Sequence, residues 1–245
     1  MIDKVWKSAE EAVADIPDGA TIAIPGFFVA GVPRTLLRAL IAKGAKDITL
    51  ACGCGPLIGD PEIIELLIKN KVVKKVIDSY ALYRSATKGA QDPLEQSVRR
   101  GEIELEVYPM GTLAEKYRAA AAGIAAVYTP TGVGSVVQES TVTNKNPVKK
   151  ETRVFDGKEY VMELALKPDY AFIHAGTGDR EGNLQYRRTA RNFNPVMAAA
   201  AKITIAEVEN LVEPGDIVPE FILTPGVYVQ RVVVVPRVTY AVTIE

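Results

Sequence analysis

The stretch DGATIAIPGFFVAGVP, Asp18–Pro33, decides the fold. Asp18-Gly19 turns the chain into a brief apolar strand, Thr21–Ile24, which runs into Pro25-Gly26-Phe27-Phe28 and Gly31 before a helix opened by Pro33. Leu36, Leu37, Leu40 and Ile41 follow at three-to-four spacing, and Gly44 fits the C′ position. Glycines at such a corner let backbone N–H groups approach a ligand, and the helix N-terminus favours an anion. A plain strand-to-helix corner with Phe27 or Phe28 in the core explains the same residues, and they leave both readings open.

The pattern repeats outward. Upstream, Ser8-Ala9-Glu10-Glu11 is a capping-box start for a short helix with Val13 and Ile16 on its apolar edge. Downstream come a strand at Asp47–Ala51, a helix at Pro61–Lys69, a strand at Val72–Ser79, a helix at Leu94–Arg100, a strand at Ile103–Tyr108 and a helix at Leu113–Ala122. Strand and helix in this alternation specify an α/β fold, an open, mostly parallel sheet flanked by helices. Ligands then gather beyond the carboxyl ends of the strands, in Pro25–Val32, Gly53–Asp60, Tyr80–Gln91 and Pro109–Thr112. After about Ala126 the texture changes. Thr129–Ser135 is too rich in Gly and Thr for regular structure, and Asn144–Lys150 has the composition of an exposed loop tip. Arg153–Phe155 and Lys158–Met162 flank Asp156-Gly157, a hairpin signal, so a β-hairpin insertion is expected there. Tyr170–His174 and Ile203–Val208 are expected as buried strands around a Pro195–Ala201 helix, and Val227–Val235 as a final strand. No linker or repeat divides the chain, so residues 1–245 are expected to form a single domain.

Composition narrows the function. The 245 residues are 48% hydrophobic and 24% charged, a globular balance. The 29 Lys and Arg nearly cancel the 30 Asp and Glu, which argues against nucleic acid as the main partner. The start lacks the apolar run of a signal peptide, and the apolar stretch near Val232–Val235 is far too short to span a bilayer. No membrane role and a cytoplasmic location are therefore expected. Cys52 and Cys54, one residue apart, would form a badly strained bridge and are read as reduced thiols.

Candidate chemistry is sparse. His174 is the single histidine, no metal-ligand spacing surrounds it, and a structural role satisfying a hydrogen bond is the favoured reading. Cys52–Asp60, with Asp78 closing the next strand, is a loose echo of a dinucleotide fingerprint: Gly53, Gly55 and Gly59 give G-x-G-x-x-x-G rather than G-x-G-x-x-G.

The quoted stretch resembles the signature of the family I coenzyme A transferases, D-G-x-x, three apolar residues, then G-G-F-x-x-x-G-x-P, with Pro25 in place of the first glycine of the pair. The similarity continues through Gly111–Ser135, Gly182–Pro195, Ala206–Pro219 and Thr224–Val233, in order and over nearly the whole chain. Within the family it is most similar to alpha subunits of the 3-oxoacid, succinyl-CoA:acetoacetate type. The resemblance implies CoA transfer between two carboxylic acids by way of a glutamyl-CoA thioester, with no cofactor besides the CoA thioester substrate. It places the nucleophilic glutamate in an S-E-N-G motif on a beta subunit. This chain has no S-E-N-G, so it implies no catalytic nucleophile here and a beta-subunit partner, in an α2β2 assembly.

The glycine corner, Gly26, Phe27, Phe28 and Gly31, is then expected beside the acyl group. Relatives carry S-Y-V-G-E-N where this chain has Ser79-Tyr80-Ala81-Leu82-Tyr83-Arg84, and P-Q-G-T-L where it has Pro109-Met110-Gly111-Thr112-Leu113. Tyr80, Arg84, Met110 and Gly111 are therefore expected in the acid pocket, altered toward a larger or more apolar acid. Two other readings stand beside this one: an acyl-CoA hydrolase on the same scaffold, and a dinucleotide-binding protein using Cys52–Asp60.

Overall fold

Alternation along the strands sorts side chains into two layers. In a computed structural model describing residues 2–56, 60–80, 93–139 and 150–237, Ile22 and Ile24 face one apolar layer and Ala23 the other. Ile48, Leu50 and Cys52 likewise oppose Ala51, and Phe172 opposes Ala171, Ile173 and Ala175. A sheet buried on both faces needs helices on both faces.

In chain order the elements are β1 (Val5–Trp6), α1 (Ala9–Val13), β2 (Thr21–Ala23), α2 (Arg34–Lys43), β3 (Ile48–Ala51), α3 (Pro61–Lys69), β4 (Val73–Asp78), α4 (Pro93–Arg99), β5 (Glu104–Val107) and α5 (Met110–Ala121). There follow β6 (Ala126–Thr129), α6 (Val136–Glu139), β7 (Thr152–Phe155), β8 (Lys158–Leu164), β9 (Tyr170–Asp179), β10 (Leu184–Gln185), α7 (Asn194–Ala200), β11 (Ile203–Val212) and β12 (Arg231–Val234). The large sheet runs β1-β12-β11-β9-β2-β3-β4-β5, with every neighbouring pair parallel; only β10 pairs antiparallel, with β9. Leu36, Leu37 and Leu40 of α2 and Ile63 and Leu67 of α3 pack in the first layer; Leu113 and Tyr117 of α5 and Met197 of α7 pack in the second.

Strand order steps outward from β2 through β3, β4 and β5 on one side, and from β9 through β11 and β12 on the other. The β2–β9 boundary is thus the switch point, where open α/β sheets form a crevice beyond the strand ends. The glycine corner sits there.

Local signals set most element ends. The Ser8 hydroxyl accepts from Glu11 N–H at 3.2 Å, and the Glu11 carboxylate accepts from Lys7 N–H. Gly44 closes α2 at φ +79°, and the Asp60 carboxylate caps α3 through Ile63 N–H. Several expectations change. Pro109–Thr112 is not a strand-end loop: α5 starts at Met110, so Met110 and Gly111 stand in its first turn. The hairpin at Asp156-Gly157 belongs to a separate three-stranded antiparallel sheet, β6-β8-β7. A strand not expected from the sequence, β6, ends at Thr129, and the rest of Thr129–Ser135 is turn and bend as expected. The last strand is only Arg231–Val234, because Tyr228 and Val229 N–H groups bond back to Pro225 and Gly226 carbonyls in a 3₁₀ turn. The loop 81–92, which contains Arg84, and most of Asn144–Lys150 lie outside the described residues.

A buried charge network holds the small sheet to the large one. Glu163 of β8, 2% exposed, pairs with Lys116 of α5 at 3.4 Å and with Lys150 at 2.6 Å. Both ammonium groups lie over the Tyr108 ring, at 4.3 and 4.7 Å, and the Tyr108 hydroxyl bonds to Glu106. Burial lowers the Lys116 pKa, with Glu163 opposing it. Tyr108 lies two residues before α5, so the network joins the start and the middle of that helix to the small sheet.

Candidate active site

The β2–β3 pairing continues past the strand ends as a bridge between Phe27 and Cys54. Above it opens a cleft of about 530 Å³, lined by Phe27, Cys54, Met110, Ala114, Thr189, Asn192, Phe193 and Val196. Phe27, 48% exposed, and Met110, 50% exposed, come from segments more than eighty residues apart. The structure brings together these two expected site residues. Phe28 packs edge-on to Phe27 with ring centroids 4.9 Å apart, and Gly111 follows Met110 in the exposed first turn of α5. That turn has no side-chain cap at Pro109 and no acidic residue, so the helix end favours negative charge. Tyr80, at the end of β4, does not line the cleft, and Arg84 lies outside the described residues.

The glycine corner is held by a residue to which the sequence alone assigns no role. Asn192 accepts Gly26 N–H at 3.0 Å and Phe193 N–H at 2.7 Å. Its amide nitrogen lies 3.1 Å from the Ala30 and Thr189 carbonyls and 3.2 Å from that of Ala190. The backbone of Asn192 has φ +20° and ψ −120°, an unfavourable conformation for a non-glycine residue, maintained by these contacts. Asn194 adds a bond to the Gly31 carbonyl at 3.1 Å.

Gly26 stands at φ +136°, and a Cβ there would strike Val32 and Pro56; at Gly31, φ +70°, it would strike the Ala190 carbonyl. Both glycines therefore permit close approach of chain to chain. Gly26 N–H is already engaged. The signal for Asn192 was present in the R-N-F-N-P string, but nothing local shows which backbone it reaches 166 residues away.

Residues 57–59 of the Cys52–Asp60 echo, Gly59 among them, lie outside the described residues, and Gly53 and Asp78 have structural roles. A Cβ on Gly53 would meet the Phe193 ring, so that glycine seats a side chain. Asp78 is buried with its carboxylate accepting from Gly55, Ser79 and Tyr80 N–H groups. Burial pushes its pKa up to about 6 against those bonds. It is not open to a ribose. Burial and Asp78 also raise the Cys54 thiol, with Ser79 opposing, so the one sulfhydryl in the cleft is a poor nucleophile at neutral pH.

Behind the corner a smaller cavity, about 170 Å³, is bounded by Gly31, Arg34, His174, Arg187, Glu207 and Glu209 among others. His174 Nδ1 lies 2.8 Å from Glu207 and Nε2 3.5 Å from Glu209. Burial disfavours the imidazolium, but the bonds and charges of the two glutamates outweigh it and raise the His174 pKa. The second oxygen of Glu207 accepts Leu36 N–H at 3.0 Å, tying β11 to the first turn of α2. His174 is thus part of the scaffold behind the corner. Among the described residues no cluster of three metal-binding side chains occurs, and no helix is long and apolar enough to cross a membrane.

Known proteins share this sequence and geometry. The family model described as Coenzyme A transferase matches residues 6–235. The A-type chain of a probable succinyl-CoA:3-ketoacid coenzyme A transferase from Mycobacterium tuberculosis is 43% identical over 246 residues, covering 96% of this chain and 95% of the relative. The corresponding A-type chain of a 3-oxoadipate CoA-transferase from Pseudomonas putida is 45% identical over 236 residues, covering 96% and 95%. Among solved structures, an acyl-CoA transferase from Escherichia coli in a thioester complex with CoA superposes with TM-score 0.81 at 27% identity. That match covers 97% of this chain but only 50% of the other, so the chain spans about half that enzyme's length. Glutaconate coenzyme A-transferase from Acidaminococcus fermentans shares the fold, with TM-score 0.78 at 22% identity, covering 95% of this chain and 76% of that one.

Proposed function

The chain belongs to the coenzyme A transferase family, and from that premise we propose that it is the A-type half of a hetero-oligomer that moves CoA from an acyl-CoA to a 3-oxo or related carboxylic acid. The observation that carries this reading is the cleft itself. It has an apolar wall for an acyl group, no carboxylate among its described lining residues, and a thiol held protonated. The nucleophile then belongs to a partner subunit that closes the open side, where Phe27 and Met110 are exposed.

The steps balance without ATP or redox chemistry. A partner glutamate attacks the acyl-CoA carbonyl, giving a mixed anhydride and CoA thiolate. The thiolate attacks the glutamyl carbonyl, forming an enzyme thioester and releasing the first acid. The second acid's carboxylate attacks that thioester to form a new anhydride and release CoA thiolate, which then attacks the acyl carbonyl to give the new acyl-CoA and the free glutamate. The chain described here contributes the apolar wall, which excludes the water that would hydrolyse the anhydride, and the rigid corner that fixes the acyl group.

The two relatives named as A-type chains of CoA-transferases, and the Escherichia coli enzyme captured as a CoA thioester, support this reading. The test is acceptor dependence in the assembled enzyme. Acyl-CoA consumption should require a second acid and yield its CoA ester. Release of free CoA at the same rate without any acceptor would instead make the enzyme a hydrolase.

A further inference from the structure

A polar relay runs from the middle of the sheet to the glycine corner, and the inference drawn from it rests on the transferase reading above. β11 carries Glu207 and Glu209 two residues apart, hence on one face of the strand, and Glu207 is the register partner of His174 on β9. The imidazole lies between the two carboxylates, with Nδ1 2.8 Å from Glu207 and Nε2 3.5 Å from Glu209. A neutral imidazole has one N–H, so only the protonated ring donates to both. Glu207 in turn serves α2. That helix opens at Pro33 with no side-chain cap and no acid in its first turn, and the second Glu207 oxygen accepts Leu36 N–H at 3.0 Å in their place. A second route runs through the backbone. His174 N–H donates to the Asn194 carboxamide at 2.9 Å, and that carboxamide donates to the Gly31 carbonyl at 3.1 Å. Both routes end where the corner joins α2.

We propose that His174 is a positioning residue of the transferase: clamped as an imidazolium between Glu207 and Glu209, it holds the exit of the glycine corner, and with it Phe27, where transfer needs it. Phe27 and Ala30 exchange backbone hydrogen bonds within the corner, so a shift at Gly31 reaches the cleft wall. The surrounding charges make the clamp depend on the proton. Glu209 also has Arg187 at 3.3 Å and Arg237 at 4.0 Å, and Arg34 of α2, which faces the same cavity, pairs with Asp60 at 2.9 Å. The ion-pair partner of the more deeply buried Glu207 is His174. When the ring loses its proton, one carboxylate faces a lone pair, and the cavity of about 170 Å³ gives the cluster room to part.

The test uses the chain assembled with its partner, with kcat for CoA transfer followed from about pH 6.5 to 9 at a temperature where every variant is folded. Wild type should lose about tenfold as pH rises through the folded His174 pKa, the effect of a one-unit difference between the held and the released corner. His174→Arg, whose charge persists, should show no such fall. His174→Gln, which is never charged, should run flat at the level wild type reaches at high pH. Either substitution alone decides if the other fails to assemble. Hydrogen exchange of residues 31–36, taken as the ratio of wild type to His174→Arg at each pH, should rise over the same range, and this readout needs no activity. A fall in kcat shared by wild type and His174→Arg, or an exchange ratio that stays constant, overturns the proposal while CoA transfer stands. Absence of transfer at every pH overturns the transferase reading, while the exchange ratio still reports the clamp.

Discussion

Replacing Asn192 by Asp keeps the size and the oxygen that accepts Gly26 and Phe193 N–H groups, and changes only the other end of the side chain. There an amide nitrogen lies within 3.1–3.2 Å of three carbonyl oxygens, Ala30, Thr189 and Ala190. Its two hydrogens make two net bonds, about 1 kcal/mol each, and a carboxylate oxygen facing the same carbonyls adds about 1–2 kcal/mol of repulsion. Partial exposure of the turn keeps the total near 3 kcal/mol. For a chain of this length that is roughly a 6–12 °C fall in Tm. The pH dependence carries a signature. The carboxyl of Asn192→Asp is repelled as an anion but can donate as an acid, so its folded pKa lies above the unfolded value of about 3.9. Stability relative to wild type is then lowest above the folded pKa and recovers as pH falls through it toward about 3.9. Thermal melts from pH 4 to 8, with hydrogen exchange of residues 25–32, read both effects. Identical melting and unchanged exchange at Gly26 would refute the clasp.

Glu163→Ala leaves Lys116 and Lys150 buried without their carboxylate; it should cost about 3–5 kcal/mol, or roughly 6–20 °C in Tm by thermal melt. Met110→Gln puts a hydrogen-bonding group on the cleft wall, and should raise kcat/KM for small polar acids over long apolar ones by about fivefold or more in an acceptor screen. His174 has a raised folded pKa, so its contribution is fully present below its unfolded value of 6.5 and is lost as pH rises through the folded value. His174→Gln should remove that slope from denaturant midpoints measured between pH 6 and 9.

The parts of the fold set by local chemistry were legible in the sequence. The Ser8 cap, α2 ending at Gly44, α3 over Pro61–Lys69 and the Asp156-Gly157 hairpin all follow from signals within a few residues. What was not legible depends on distant partners. The Tyr108–Lys116–Glu163 network joins residues up to 55 positions apart around α5, whose first turn begins at Met110 where a loop was expected. The apolar cleft joins Phe27, Met110 and Phe193, and no spacing in the sequence announces that meeting. The Gly26–Asn192 bond spans 166 residues for the same reason. Gly26, Gly31 and Gly53 each seat a distant part of the chain, a close approach that no neighbouring residue signals.

The central claim is that this chain forms one half of a catalytic site and that its partner carries the nucleophile. The direct measurement is CoA transfer by the purified chain alone, by the purified partner alone, and by the two mixed. Neither alone should transfer CoA, and mixing should restore turnover with a CoA thioester trapped on a carboxylate of the partner. Turnover by the chain alone, or a thioester found on its own residues, would contradict the account.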